Sequence, residues 1–201
     1  MQIKSNQELF INHKKKKMEL KMNLQPVSFE NANEKQRILL EKTQATYRTL
    51  PKMQMIMANV PSLLQTYLDG MDLFRKESLF NPVEQEVIFM VISCENECCY
   101  CLAAHGMIAE KLSKVPLEII NEIKENKELS DSKLNGLAIF TKLMVSKRGF
   151  VSEEEITDFL QSGYREEHIL GIIHALSLKI MSNYTNHIFQ SEYNKLTKGG
   201  Y

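Results

Sequence analysis

Four residues near the middle of the chain have types and spacings suited to thiol chemistry: Glu86, Cys98, Cys101 and His105. If a helix begins at Cys98, then Cys101, three positions on, and His105, four beyond it, share one face. Unpaired N–H groups and the macrodipole at a helix N-terminus lower the pKa of a nearby cysteine and supply a thiolate at neutral pH. One pKa unit corresponds to about 1.4 kcal/mol, so a few such contacts make the thiolate dominant. The imidazole can take or return a proton, and a carboxylate oriented toward it completes a nucleophile, base and orienter pattern, for which Glu86 is the candidate. A second thiol three residues away can condense with the sulfenic acid left by peroxide attack and close a disulfide before over-oxidation.

These groups need elements to hold them. Asn81-Pro82-Val83-Glu84 reads as a helix start: Asn81 can accept from a free backbone N–H, Pro82 suits the first helical position, and Glu84 sits where a capping box wants an acid. The helix is predicted from Pro82 to about Cys94, with Glu86 at or near the rim of an apolar surface that would raise its pKa. Glu95-Asn96-Glu97 is the break before the cysteine segment. Apolar stripes at helical spacing follow Pro61 (Leu64, Tyr67, Leu68, Met71, Phe74) and the cap candidates Ser130 and Asp131 (Leu134, Leu137, Thr141, Met144). An earlier helix lies near residues 32 to 48, and a short one around Ile156 to Leu160 ends at Gly163. A final helix from Tyr164, with Ile169, Ile172, Ile173, Leu176 and Ile180 inside, is expected to be largely buried. No window alternates as a half-buried strand does, so the prediction is an all-α helical bundle in one domain, residues 24–195, between an extension over 1–23 and a tail over 196–201.

Composition excludes other classes. The 201 residues, 43% hydrophobic and 25% charged, match a soluble globular chain. The longest apolar stretch, around Val87 to Cys94, falls far short of the roughly 18 residues of a spanning helix. Lys plus Arg and Asp plus Glu number 25 each, so no global field attracts nucleic acid or anionic lipid. Residues 1–22 are basic, with six Lys against two acids, and read as a solvated extension, with Met18 and Met22 as alternative starts. No secretory apolar region follows those lysines, and all four cysteines fall within eight positions, which suits a reducing, cytoplasmic compartment better than a disulfide framework.

The same residues resemble a known family. Glu86, Cys98, Cys101 and His105 are similar to the Glu-x11-Cys-x2-Cys-x3-His core of the alkylhydroperoxidase D and carboxymuconolactone decarboxylase superfamily. Asn96-Glu97-Cys98-Cys99-Tyr100-Cys101 resembles the Asn-x-Cys-x-Tyr-Cys form of its peroxidase-related branch. Leu50-Pro51-Lys52, Met57 to Pro61, Asp131 to Leu134 and Gly163-Tyr164 extend the likeness over roughly residues 45 to 188. The resemblance implies an AhpD-like helical fold without metal or organic cofactor, assembled as a trimer, dimer or hexamer. It implies a peroxidatic Cys101, a more exposed resolving Cys98, His105 as proton acceptor and Glu86 acting through it. A hydroperoxide would be the substrate and a thiol or dithiol the reductant. Tyr100 stands where alkylhydroperoxidase D members proper carry a second histidine, so the relay here is shorter.

Competing readings weigh less. A thioredoxin-like site lacks its βαβ pattern. Zinc held by Cys94, Cys98, Cys101 and His105 would need four ligands on one straight helix to surround a metal. Decarboxylation, the enzymatic alternative within the superfamily, has no use for paired thiols. In a non-catalytic assembly protein Glu86 and His105 would be a structural pair. Cys94 and Cys99 read as packing residues, and His174 and His187 as core or interface imidazoles.

Overall fold

Helix starts in this chain follow its caps. The computed structural model describes residues 24–189, so the basic extension, the tail and the end of the expected domain lie outside the described residues. Nine helices and no strand occur among the described residues: α1 Glu34–Tyr47, α2 Lys52–Met57, α3 Pro61–Glu77, α4 Pro82–Glu95, α5 Cys99–Lys111, α6 Leu117–Lys124, α7 Ser132–Ser146, α8 Glu153–Gln161 and α9 Glu166–Phe189. The all-α expectation holds. The short α2 and α6 had no counterpart in the periodicity, because one or two turns carry too few apolar repeats to stand out.

The capping box before α4 forms as read. Asn81 Oδ1 accepts from the N–H groups of Val83 (2.9 Å) and Glu84 (3.0 Å), and Glu84 accepts from the Asn81 N–H at 3.0 Å. Asp131 caps α7 by accepting from the Leu134 N–H at 2.8 Å, while Ser130 turns instead to Glu122. Ser152 forms a capping box with Glu155, so α8 begins earlier than its apolar residues suggest. Gly163 has φ 99°, the left-handed stop expected of it.

α4 is the central element, buried at every residue from Glu84 to Ser93 and packed against α5, α6, α7 and α9. An all-round apolar helix must sit inside, and this one does. α9 lies across α2, α3, α4 and α5. The expectation that α9 is largely buried fails: Leu170, Ile173, Ile180, Tyr184 and Ile188 are exposed along one side, while Ile172, Ala175, Leu178, Lys179, Ser182, Asn183 and Asn186 are buried along the other. An outer helix has only one face to give to the core, and the apolar character of its second face misled the periodicity.

α3 and α9 approach closely at Gly70, where an added Cβ would lie 2.7 Å from Leu178 Cδ2. The C-terminal end of α3 is closed by buried Gln85, whose Nε2 donates to the Phe80 (3.0 Å) and Arg75 (3.3 Å) carbonyls. Gln85 Oε1 in turn accepts from Arg75 at 3.0 Å. This junction points Arg75 toward Glu86, one residue further along α4.

Candidate active site

α4 and α5 meet through a tight reversal. The Asn96 N–H donates to Ile92 O (3.0 Å), Glu97 N–H to Cys94 O (2.9 Å) and Cys98 N–H to Ser93 O (2.8 Å). Glu97 takes φ 54°, the left-handed region that ends α4 and lets α5 start in a new direction. Asn96 Nδ2 donates to Asn183 Oδ1 at 2.9 Å, tying the reversal to α9. Cys98 is the N-cap residue of α5, and Cys101 lies in its first turn. Both are free thiols.

The two sulfurs are neighbours with opposite protonation preferences. The Cys98 thiol hydrogen-bonds the Cys101 sulfur and holds the Cys101 pKa down to about 5, against the desolvating effect of its burial, with help from Lys179 and the Asn186 amide. The Cys98 pKa is pushed up by that same hydrogen bond, by burial and by the charge of Cys101. The arrangement therefore favours one thiolate and one thiol side by side. Asn186 Nδ2 donates to Cys101 Sγ at 3.1 Å and to Met53 Sδ at 3.2 Å.

Glu86 is fully buried, and its Oε2 lies 2.9 Å from His105 Nδ1 while Oε1 pairs with Arg75. Burial would raise the Glu86 pKa, as the sequence suggested. The hydrogen bond from His105 and the guanidinium of Arg75 win instead and bring it below the usual carboxylate range. An ionised carboxylate can only accept, so His105 Nδ1 carries a hydrogen and a neutral ring leaves Nε2 as an acceptor. Burial first, and then Lys179 and Arg75, keep the His105 pKa low against the pull of Glu86. The Phe89 ring packs against His105 at 4.8 Å between centroids and under the Arg75 guanidinium at 4.9 Å.

All four sequence-predicted residues are thus found on α4 and the first half of α5 with its cap, with Glu86 and His105 in contact and Cys98 in contact with Cys101. Cys98 and Cys101 are both buried, 2% and 4% exposed, so Cys98 does not stand open to solvent as a more exposed resolving thiol would. Cys99 is exposed, with its thiol 4.0 Å from Glu97 O, and Cys94, half-buried, turns its thiol toward Ile123 O at 3.8 Å. His174 is half-buried with its ring edge-on to Phe74, and His187 is exposed. The sequence reading missed Arg75, Lys179 and Asn186. Their signal was three polar residues at otherwise core-like positions of amphipathic helices. No group of three or more potential metal donors converges among the described residues. A cleft of about 180 Å³ lined by Val91, Cys94, Ile123, Leu129 and Lys142 includes none of the four.

No family model and no curated protein matches the sequence. Solved structures do match its fold. An uncharacterized peroxidase-related protein from Ralstonia eutropha JMP134, with an alkylhydroperoxidase AhpD core, is 20% identical over 82% of this chain and 88% of its own, with a TM-score of 0.71. An uncharacterized peroxidase-related protein from Silicibacter sp. TM1040 is 20% identical over 88% of this chain and 93% of its own, with a TM-score of 0.70. A cysteine-to-alanine variant of the debrominase Bmp8, in complex with 2,3,4-tribromopyrrole, is 13% identical over 88% of this chain and 94% of its own, with a TM-score of 0.72. The fold is the AhpD-like helical fold. No helix of the described residues is long and apolar enough to cross a membrane.

Proposed function

We propose that this chain, which shares its fold with AhpD-like peroxidase-related proteins, is a cofactor-independent thiol peroxidase or disulfide reductase that turns over through a Cys98 and Cys101 disulfide. The observation that carries this reading is the pair of buried, free, neighbouring thiols at the start of α5, whose mutual hydrogen bond favours an ionised Cys101 beside a protonated Cys98. In the first step the Cys101 thiolate attacks the terminal oxygen of a hydroperoxide. The O–O bond breaks, Cys101 becomes a sulfenic acid, and the departing alkoxide leaves as the alcohol with a proton that His105 Nε2 takes from solvent and passes on. In the second step the Cys98 sulfur attacks the sulfenic sulfur, its proton leaves with the hydroxide as water, and a disulfide forms. A thiol or dithiol reductant then restores both thiols. Glu86 acts through His105, holding the ring in the tautomer that leaves Nε2 free to move these protons.

The chemistry of the pair also weighs against decarboxylation, which needs an acid, a base and an anion clamp rather than two sulfurs. The concentration of four free thiols in one segment supports a reducing, cytoplasmic setting. The apolar outer side of α9 supports a homo-oligomer, a trimer, dimer or hexamer.

Alkylation and mass spectrometry after stoichiometric hydroperoxide test the assignment. Wild-type protein gains one disulfide between Cys98 and Cys101. Cys101→Ser consumes no peroxide, and Cys98→Ser reacts once and accumulates oxidised Cys101. Equal full activity of the two variants refutes the reading.

A further inference from the structure

The formal charges gathered around the dithiol balance only when one sulfur is ionised. Arg75 and Lys179 bring two positive charges and Glu86 one negative, with His105 held neutral. Glu86 is already committed to Arg75 and His105. Lys179, on α9, is 2% exposed, and its ammonium lies 5.6 Å from the centre of the Phe89 ring, the ring that also packs against His105. Two turns further along the same face of α9, Asn186 touches Cys101 Sγ at 3.1 Å. The charged and titratable groups that face Lys179 are Cys98 before α5, Cys101 and His105 on α5, Glu86 on α4 and Arg75 on α3.

A buried ammonium without a counter-ion is strongly disfavoured, and so is a buried thiolate. Together each offsets part of the other's penalty: the charge of Cys101 raises the Lys179 pKa against the larger lowering by burial. Free lysine, cysteine and histidine side chains hold their protons to about pH 10.4, 8.5 and 6.5, so a proton shared among these groups goes to the amine first. That ordering ionises the thiol and leaves the imidazole neutral, the same distribution the hydrogen bonds favour.

We propose that Lys179 is the counter-ion of the Cys101 thiolate, a positioning residue through which α9 fixes the reactive protonation state of the dithiol. The inference rests on Cys101 being the nucleophile of the function proposed above. It assigns α9 a second duty besides packing: its apolar first half builds the core, and its polar second half sets the charge of the site.

The test follows the ultraviolet absorbance of the thiolate across pH in reduced full-length protein, with Cys101→Ser as the baseline. Wild type titrates near 5. Lys179→Met, a charge-free side chain of similar length, moves the midpoint upward by at least one unit, a tenfold loss of thiolate on the acid side, while Lys179→Arg keeps the low midpoint. A reciprocal measurement in intact protein needs no lysine variant: the Lys179 Cε resonance titrates at lower pH in Cys101→Ser than in wild type. An unmoved thiol midpoint in folded Lys179→Met overturns the proposal, as does an unchanged lysine midpoint in Cys101→Ser. Neither measurement uses peroxide. Normal titrations with no peroxide consumption therefore sink the peroxidase reading alone, and normal consumption with an unmoved midpoint sinks the counter-ion alone.

Discussion

Glu86, His105, Cys101 and Lys179 shift their pKa values by different causes, yet all four shifts tie stability to pH in the same direction. The folded pKa of each lies below its ordinary value, so between the two values the unfolded chain binds a proton that the fold refuses. Stability therefore rises with pH in that interval and is lost as pH falls through the folded value. For His105, lowered chiefly by burial, the loss begins below about 6.5, and for Cys101 it begins below about 8.5 and runs down to about 5. Cys98, shifted upward, does not titrate in that range. The expected outcome is a urea midpoint that falls steadily from pH 7.5 to pH 5, with a shallower slope in Cys101→Ser. A midpoint flat across that interval would contradict the assigned protonation states.

At the scale of elements, the site depends on how closely α9 can lie on α3. Gly70 permits that approach, and the residue it admits, Leu178, is the neighbour of Lys179. A methyl group there meets Leu178 Cδ2 at 2.7 Å, so either the leucine leaves its rotamer or α9 lifts. Gly70→Ala is expected to destabilise by about 1–3 kcal/mol, although alanine is the better helix former. Because Lys179 and Asn186 ride on the same helix, the variant also slows peroxide consumption. Denaturant unfolding and peroxide assays on one preparation check both effects. Greater stability in Gly70→Ala would show that the two helices have slack. The reversal between α4 and α5 has the complementary role, since three backbone hydrogen bonds and the left-handed Glu97 place Cys98 as the cap of the helix that carries Cys101.

For the whole molecule, the same helix faces two ways. Its inner side carries Lys179, Asn183 and Asn186 into the site, and its outer side leaves Leu170, Ile173, Ile180, Tyr184 and Ile188 exposed. In the homo-oligomer proposed above, this stripe would be the surface that meets a second copy. Ile180→Glu places a charge in the middle of the stripe without touching the core, so its expected effect is a smaller assembly by light scattering with the helical content retained. An unchanged mass would remove α9 from the interface. An assembly joined along α9 would also connect subunit contacts to the dithiol through one helix.

What the sequence by itself determined was local. Caps such as Asn81 and Asp131 act on the next few N–H groups, helical spacing sets which residues share a face, and the break at Glu95 to Glu97 separates the helices bearing Glu86 and the cysteines. Those features singled out Cys98, Cys101 and His105 as candidates on one helix face, with Glu86 on the helix before, and predicted the all-α fold, because caps and helical spacing act within a turn or two. Only the tertiary structure decided the charges. It turned the raised carboxyl expected at Glu86 into a lowered one by bringing Arg75 and His105 to it, and it buried Cys98 against Cys101. It also brought Lys179 and Asn186 from some 80 positions away along the chain. Protonation states follow from burial and from charges a few ångströms off, and those neighbours come from distant parts of the chain that no local pattern links.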